Sequence, residues 1–435
     1  MNHSISHIAW FTRNDVEQNS CDYKLPLSTF LTKALVPLFN SAGIKVSVFS
    51  DNVTDIVCDD GKSYKVGHYL NAYQNKLVGE KFDIYFHQVE EGKKSHFLRS
   101  AIGIYPGITY FHDLYLTDLG PDPLTNSPWS WVANKVFSEK IGSNLLIENI
   151  DWPNYSDEFP RNGPFPQREV SLSIGTLSSS RRFCDDITRS EFAKNKLNYF
   201  CPYPVTPYPS TSCPESLTTE SKNDSLFKIA LLGTPNIEDR IHKIFAAIRS
   251  LKTKTKVFWL VDKANLSTAK ARAEEFGITV EFFHSVNPNC WFNLLSNCNA
   301  GIQLRFTSFG GLSPFIEYGL VTQKPLLVSD FGDSDYYNDN YLYKIPMGSF
   351  ESNSVKYILE NIIAGNKNIN LIGAKDFVTN NNDKNYIFQN LLAAFENINN
   401  QSKSEINNFN SLKQAALKIF DKKLYQLEYK ELGWS

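Results

Sequence analysis

At 435 residues, with 42% hydrophobic and 21% charged side chains, the chain is long enough for two or three globular domains with sizeable cores. A formal net charge of −2 excludes a broad electrostatic nucleic-acid footprint, but not a local basic pocket for a diphosphate. The seven cysteines (Cys21, Cys58, Cys184, Cys201, Cys213, Cys290 and Cys298) show no C-x-x-C spacing and read as small buried hydrophobes of a reducing compartment. The eight histidines form no H-x-x-x-H pair, which sets a structural zinc site aside. The segment MNHSISHIAWFTR is not a signal peptide, and no run of about 18 apolar residues occurs, so a soluble, cytoplasmic protein is expected.

In chain order, His7–Phe11 predicts a strand, Leu27–Ser41 a helix and Lys45–Ser50 a strand. Phe82–His87, Ser95–Ile104 and Gly107–Phe111 repeat strand, helix and strand, the last running into His112-Asp113. Residues 114–170 are irregular and rich in Trp, Pro and Asn. Val170–Gly175 predicts a further strand, with a helix near Arg182–Lys194. The Pro- and Ser-rich stretch 201–225 is a linker candidate. It separates an N-terminal domain over 1–205 from a C-terminal domain over 226–405.

The second half alternates more strictly. Strands are predicted at Phe227–Gly233, Lys256–Asp262, Thr279–His284, Ala300–Arg305 and Pro325–Asp330. Helices are predicted at Glu238–Leu251, Asn265–Phe276, Asn289–Asn297 and Leu312–Val321. Such alternation means right-handed βαβ units and a doubly wound parallel sheet. After 365 the chain turns Asn-rich, which implies surface loops. Ser411–Leu427 then regains helical periodicity and is a candidate to complete the N-terminal domain.

Ligands of open parallel sheets bind beyond the carboxyl ends of strands, so the residues after each apolar run are the candidates. Gly233 frees a turn, and Arg240 and Lys243 follow early on the next helix, either as phosphate-neutralising cations or as solvated charges. Gly310-Gly311-Leu312-Ser313 precedes Pro314 at a helix start. There, backbone N–H groups and the helix dipole attract an anion, or the glycines simply make a turn. Glu317, one turn in, is either a ribose-binding carboxylate or a stabilising surface Glu. His112 either hydrogen-bonds a sugar and titrates near neutral pH or is a buried structural residue, and Asp113 orients it or caps a helix. Arg13 and Asn14, in the loop after the first strand, are acceptor-side candidates.

No G-x-G-x-x-G fingerprint, P-loop or G-x-S-x-G elbow occurs. Asp333-Ser-Asp335 has D-x-D spacing, but its late position makes it a weak metal site, and no metal is expected.

Two stretches carry a family resemblance. Phe82-Asp-Ile-Tyr-Phe-His, Ser95-His-Phe-Leu and Tyr105-Pro-Gly-Ile-Thr-Tyr-Phe-His112-Asp113-Leu114 form one. Leu304-Arg-Phe-Thr, Gly310-Gly-Leu-Ser-Pro, Glu317-Tyr-Gly-Leu and Lys324-Pro-Leu-Leu-Val-Ser-Asp330-Phe-Gly332 form the other, more specific one. The chain resembles the GT-B glycosyltransferases, in particular the bacterial retaining group called family 4. The resemblance implies two Rossmann-like domains facing a cleft, with a nucleotide-sugar donor on the C-terminal domain and an acceptor on the N-terminal one. It also implies a retaining transfer without an essential metal or cofactor. Arg240 and the amides near Gly310–Leu312 would stabilise the leaving diphosphate, Glu317 would hold the ribose, and His112 would touch the donor sugar. The sequence departs from the family at Asp239, where a basic residue is usual, and at Phe309 or Gly311, where an acidic one is usual. It also lacks the N-terminal glycine loop.

The leading expectation is transfer of a hexose-type sugar from a nucleoside-diphosphate sugar to a carbohydrate or lipid-linked acceptor, in cell-envelope polysaccharide assembly. A sugar-nucleotide epimerase and a non-catalytic sugar-nucleotide-binding subunit are the alternatives. Trp129, Trp131, Lys135, Phe137 and Lys140 form either a basic-aromatic surface for peripheral membrane contact or core aromatics with solvated lysines.

Overall fold

The computed structural model describes residues 4–14, 26–72, 81–90, 95, 97–113, 167–190, 193–205, 226–235, 239–284, 288–305, 313–330, 332–366, 368–403, 406–407 and 411. These form two compact units. The first takes the described residues up to Cys201 and those from Phe388 onward, and the second runs from Pro202 to Ile387. The predicted helix 411–427 lies outside the described residues beyond its first residue, as do 206–225 of the linker candidate.

The first unit is built on a seven-stranded sheet. Its strands are β1 (His7–Phe11), β2 (Lys45–Ser50), β5 (Val66–His68), β6 (Ile84–Val89), β7 (Ile108–Phe111), β8 (Gly175–Ser178) and β9 (Asn198–Phe200). They lie in the order β5-β2-β1-β6-β7-β8-β9, and every pair is parallel. A small antiparallel hairpin, β3 (Ile56–Val57) with β4 (Ser63–Tyr64), stands apart. All five residues of β1 are buried, as a central strand covered on both faces requires, hence its unbroken apolar run. Helices α1 (Leu27–Ser41), α2 (Phe97–Ile104), α3 (Gln167–Leu172) and α4 (Arg181–Arg189) connect the strands. Helix α4 starts where the Ser180 hydroxyl accepts the Phe183 N–H at 3.0 Å, a side-chain N-cap.

In the second unit the strands are β10 (Phe227–Leu232), β11 (Thr255–Leu260), β12 (Val280–Phe283), β13 (Ala300–Gln303), β14 (Leu326–Ser329) and β15 (Tyr343–Ile345). Their order is β12-β11-β10-β13-β14-β15, again wholly parallel. Counted within the unit this is 3-2-1-4-5-6, the doubly wound dinucleotide-fold order. Helices α5 (Ile241–Arg249), α6 (Leu266–Phe276), α7 (Pro288–Ser296), α8 (Pro314–Val321), α9 (Glu351–Ile363) and α10 (Leu371–Asn381) cover it. Five side chains of α5 are buried, Ile241, Ile244, Phe245, Ala247 and Ile248, at the 3-and-4 spacing of an inward-facing stripe. Each of the larger ones contributes about 1.5–3 kcal/mol.

Two sequence expectations are corrected. Val170–Gly175 is not a strand. Its first residues end α3, and the strand begins at Gly175. The alternating Val-Ser-Leu-Ser pattern imitates a strand, but Lys196 Nζ donates to the carbonyls of Val170, Ser171 and Ser173 at 2.6–2.7 Å. An ammonium there satisfies the carbonyls a helix end leaves open. The Asn-rich stretch after 365 is largely helical. Asn370 Oδ1 caps α10 through the Gly373 N–H at 2.9 Å, so asparagine here acts as a cap. The last long helix, α11 (Lys384–Gln401), begins in the second unit and continues in the first. There Phe395 meets Phe86 at 4.9 Å between ring centroids, and Ile398 packs against Gly175. A Cβ on Gly175 would come within 2.7 Å of Ile398, so only glycine permits this approach. Strands β5, β9 and β15 and helix α9 had no clear signal in the sequence.

Among the described residues no helix is long and apolar enough to cross a membrane. The five described cysteines, Cys58, Cys184, Cys201, Cys290 and Cys298, are buried. The aromatic-basic segment with Trp129, Trp131, Lys135, Phe137 and Lys140 lies outside the described residues.

Candidate functional site

Each sheet has one point where the strand order reverses, and the loops leaving the strands on either side open a crevice there. The flanking strands are β1 and β6 in the first unit, and β10 and β13 in the second.

At the first-unit edge, Thr12-Arg13-Asn14 leaves β1, Glu90 leaves β6 and His112-Asp113 leaves β7. Arg13 Nη1 lies 3.1 Å from Glu90 Oε1. Glu90 Oε2 accepts the Ser28 N–H at 2.7 Å, at the start of α1, a helix with no acidic residue in its first turn and no side-chain cap. The carboxylate therefore serves the positive end of the helix. Burial pushes the Glu90 pKa up to about 7 against the pull of Arg13 and the Ser28 N–H, and the Asp113 charge adds to the rise. Asn14 is buried and spends its amide on the carbonyls of Asn52 (3.2 Å) and Thr54, which fastens the loop.

His112 is fully buried. The Gln88 carboxamide is satisfied with its nitrogen toward His112 Nε2 (3.2 Å) and the Ser28 carbonyl (3.1 Å), which leaves its oxygen facing Trp10 Nε1 at 2.7 Å. His112 Nε2 is then an acceptor, and the neutral ring carries its proton on Nδ1. Burial lowers the His112 pKa to about 3. The expectation that it titrates near neutrality is therefore corrected: it is a fixed, uncharged ring in the structure.

At the second-unit edge, Gly233 has φ +153°, a conformation that favours glycine, and a Cβ there would lie 3.1 Å from the Asp239 Cβ. Asp239 Oδ2 accepts from both the backbone N–H and the hydroxyl of Thr234 at 2.5 Å, which closes the loop after β10. Arg240 sits in the left-handed region at the start of α5, φ +55°. Its guanidinium grips Glu351, Nε to Oε2 at 2.9 Å and Nε to Oε1 at 3.1 Å, with Nη2 on the same carboxylate. The ammonium of Lys243 makes no ion pair among the described residues. His242 between them has its pKa lowered by burial first, then by Arg240 and Lys243.

Helix α8 starts at the carboxyl end of β13. Ser313 is extended and Pro314 takes the first helical position. The Ser313 hydroxyl accepts from Gln303 Nε2 at 3.2 Å, tying the helix start to the strand end. Gly310, Gly311 and Leu312 lie outside the described residues. Glu317 points inward, wholly buried. Its Oε1 accepts from Asn382 Nδ2 at 2.9 Å, and the same amide donates to the Tyr203 carbonyl at 3.1 Å. Burial holds the Glu317 pKa well above the carboxylate range, although the Tyr337 hydroxyl and the Asn382 amide draw it down. The reading of Glu317 as a surface carboxylate is corrected. Asp335 is 90% exposed, 3.9 Å from Lys344 Nζ, and the side chain of Asp333 lies outside the described residues.

Chemically, the second edge offers a glycine turn, the Lys243 ammonium and a helix N-terminus, the elements of an anion site. The first edge offers a guanidinium with a carboxylate that titrates near neutrality, suited to hydroxyl-bearing ligands. Sequence reasoning missed Gln88, Glu90, Glu351 and Asn382. Glu90 follows an apolar run and was reachable by the same rule that found His112. Glu351 follows a strand too short to read, and Asn382 sits in the Asn-rich tract.

No family model matches the sequence, and no curated protein matches it either. Solved structures do. The chain is similar to a glycosyltransferase from Rickettsia africae at 12% identity and TM-score 0.60, over 91% of this chain and 99% of that one. It is similar to sucrose-phosphate synthase from Thermosynechococcus elongatus at 9% identity and TM-score 0.61, over 89% and 97%. It is also similar to Anabaena HepE, solved with UDP-glucose, at 10% identity and TM-score 0.52, over 89% and 98%. Both sheets take part in matches of this extent, and the chain has the GT-B fold, two Rossmann-like domains in one polypeptide.

Proposed function

We propose that the chain is a nucleotide-sugar-dependent glycosyltransferase that moves a hexose-type sugar from a nucleoside diphosphate to a carbohydrate or lipid-linked acceptor. The observation that carries this reading is likeness over nearly the full length of a named glycosyltransferase, a sucrose-phosphate synthase and a protein solved with UDP-glucose. In this reading the domain over 226–405 holds the donor. Lys243, the N-terminus of α8 at Ser313 and the Gly310–Leu312 amides ahead of it receive the diphosphate. Their fixed positive potential stabilises the charge that develops as the sugar leaves, so no metal is needed. The N-terminal domain holds the acceptor near Arg13, Glu90 and Asp113, with His112 as a neutral hydrogen-bonding wall. Retention of configuration and a role in cell-envelope polysaccharide assembly, at the inner face of the plasma membrane, complete the proposal.

One observation favours a second reading, a non-catalytic sugar-nucleotide-binding subunit: Arg240, the expected phosphate cation, is held by Glu351. Turnover separates the two. UDP-, GDP- and ADP-linked glucose, galactose and mannose are incubated with the chain and a mixed saccharide acceptor pool, and nucleoside diphosphate release is followed. Release from one donor, raised by acceptor, supports the transferase. Tight binding of a nucleotide without release from any donor supports the binding subunit.

A further inference from the structure

The second unit carries a pocket of about 420 Å³ lined by Asn338, Asn340, Tyr341, Asn368, Ile369 and Asn370. It lies in the segments before β15 and before α10, at the amino end of an edge strand, whereas the anion site occupies the carboxyl ends. The two segments are locked to each other: the Asn370 N–H donates to the Asn340 carbonyl at 2.6 Å, and the Asn368 N–H to the Tyr343 hydroxyl at 3.3 Å. Asn338 Oδ1 accepts the Asn340 N–H at 2.9 Å, and Asn370 Oδ1 accepts the Gly373 N–H at 2.9 Å. Two carboxamides are thus oriented by the backbone. The side chains of Asn340 and Asn368 make no hydrogen bond among the described residues. The Tyr341 ring is braced against Phe377 at 5.5 Å between centroids.

A carboxamide presents a donor and an acceptor side by side, which matches the vicinal hydroxyls of a sugar, each both donor and acceptor. Tyr341 and Ile369 add a small apolar patch beside the carboxamides. None of the described lining residues carries a charged side chain, and the nearby Asp339 is paired with Lys344 at 2.5 Å. The volume of about 420 Å³ suits a few sugar units rather than a polymer strand. We infer that this pocket is a binding site for neutral oligosaccharide, separate from the donor site. Its use as a tether for a growing acceptor chain rests on the glycosyltransferase reading. The binding itself does not.

Hydrogen–deuterium exchange of the full chain tests it, with maltohexaose, cellohexaose, chitohexaose and mannohexaose as probes, each at about 5 mM to reveal millimolar affinity. At least one probe is expected to slow exchange in peptides covering both 338–343 and 366–374. The Asn340→Ala/Asn368→Ala double variant, whose surface changes leave the melting temperature in place, is expected to bind that probe about tenfold more weakly. Failure of all four probes to slow both peptides overturns the inference. So does undiminished protection in the double variant, or protection of these peptides by UDP instead. None of these readouts depends on turnover, so the transferase proposal stands or falls separately.

Discussion

The carboxyl edges of the two sheets are topologically equivalent and chemically opposite. At the first, acids and polar groups close on one another: Glu90 holds both Arg13 and the start of α1, and Gln88 holds His112. At the second, three acids are engaged within the unit. Asp239 shapes the turn after Gly233, Glu351 takes Arg240, and Glu317 is buried against Asn382. Beside them stand Lys243 and the N-terminus of α8. The same switch point thus carries a closed Arg13–Glu90 pair in one unit and a lysine beside a helix N-terminus in the other.

Breaking the pairs sharpens the contrast. The largest effect is expected from Arg240→Ala. Glu351, with a side chain only 1% exposed, is left as a buried unpaired carboxylate, so unfolding free energy measured by urea titration should fall by about 3–5 kcal/mol. The Arg240→Met/Glu351→Met double variant should recover most of that loss. Glu317→Ala should cost about 2–3 kcal/mol, through lost packing and the stranded Asn382 amide. Glu317→Gln should stay within about 1 kcal/mol of wild type, because a carboxamide oxygen accepts from Asn382 as the Glu317 Oε1 does. If Glu317 also holds ribose, the Gln variant should lose nucleotide affinity while keeping its stability.

Glu90 provides a pH signature. A carboxyl whose folded pKa is raised to about 7 from 4.5 binds more proton when folded than unfolded between those values. Its contribution to stability is therefore lost as pH rises from 4.5 to 7, and levels off above that range. Glu90→Gln should flatten that part of the stability–pH curve, and an unchanged slope would assign the titration elsewhere. The smallest effect on stability is expected from Lys243→Ala, within about 0.5 kcal/mol, since its ammonium makes no ion pair among the described residues.

The legible part of the fold was the part whose signal is local. The β10–β14 half shows its apolar runs and caps residue by residue, and its predicted elements recur within two or three residues of the observed bounds. The misread parts depend on distant partners. Lys196 ends α3 from more than twenty residues away, and the strandlike Val-Ser-Leu-Ser pattern carries no trace of it. The Asn-rich tract hides helices whose apolar faces only tertiary packing reveals, such as Ala374 and Val378 on α10. At the site, Gly233, Ser313 and His112 were legible because the strand-end rule finds them. Their electrostatic state was not: the pKa of His112 and of Glu317 is set by burial, and the engagement of Arg240 by a helix 111 residues away.

The central claim, a nucleotide-sugar site on the positive edge of the second domain, is tested most directly by thermal shift with UDP, GDP, ADP, CMP and dTDP on wild type and Lys243→Ala. A ligand that binds only the native state must raise its melting temperature. The account predicts that one nucleotide stabilises the wild type and that Lys243→Ala, equally stable alone, needs about tenfold more of it for the same shift. No stabilisation by any of the five at millimolar concentration, or an identical response in both proteins, would contradict it.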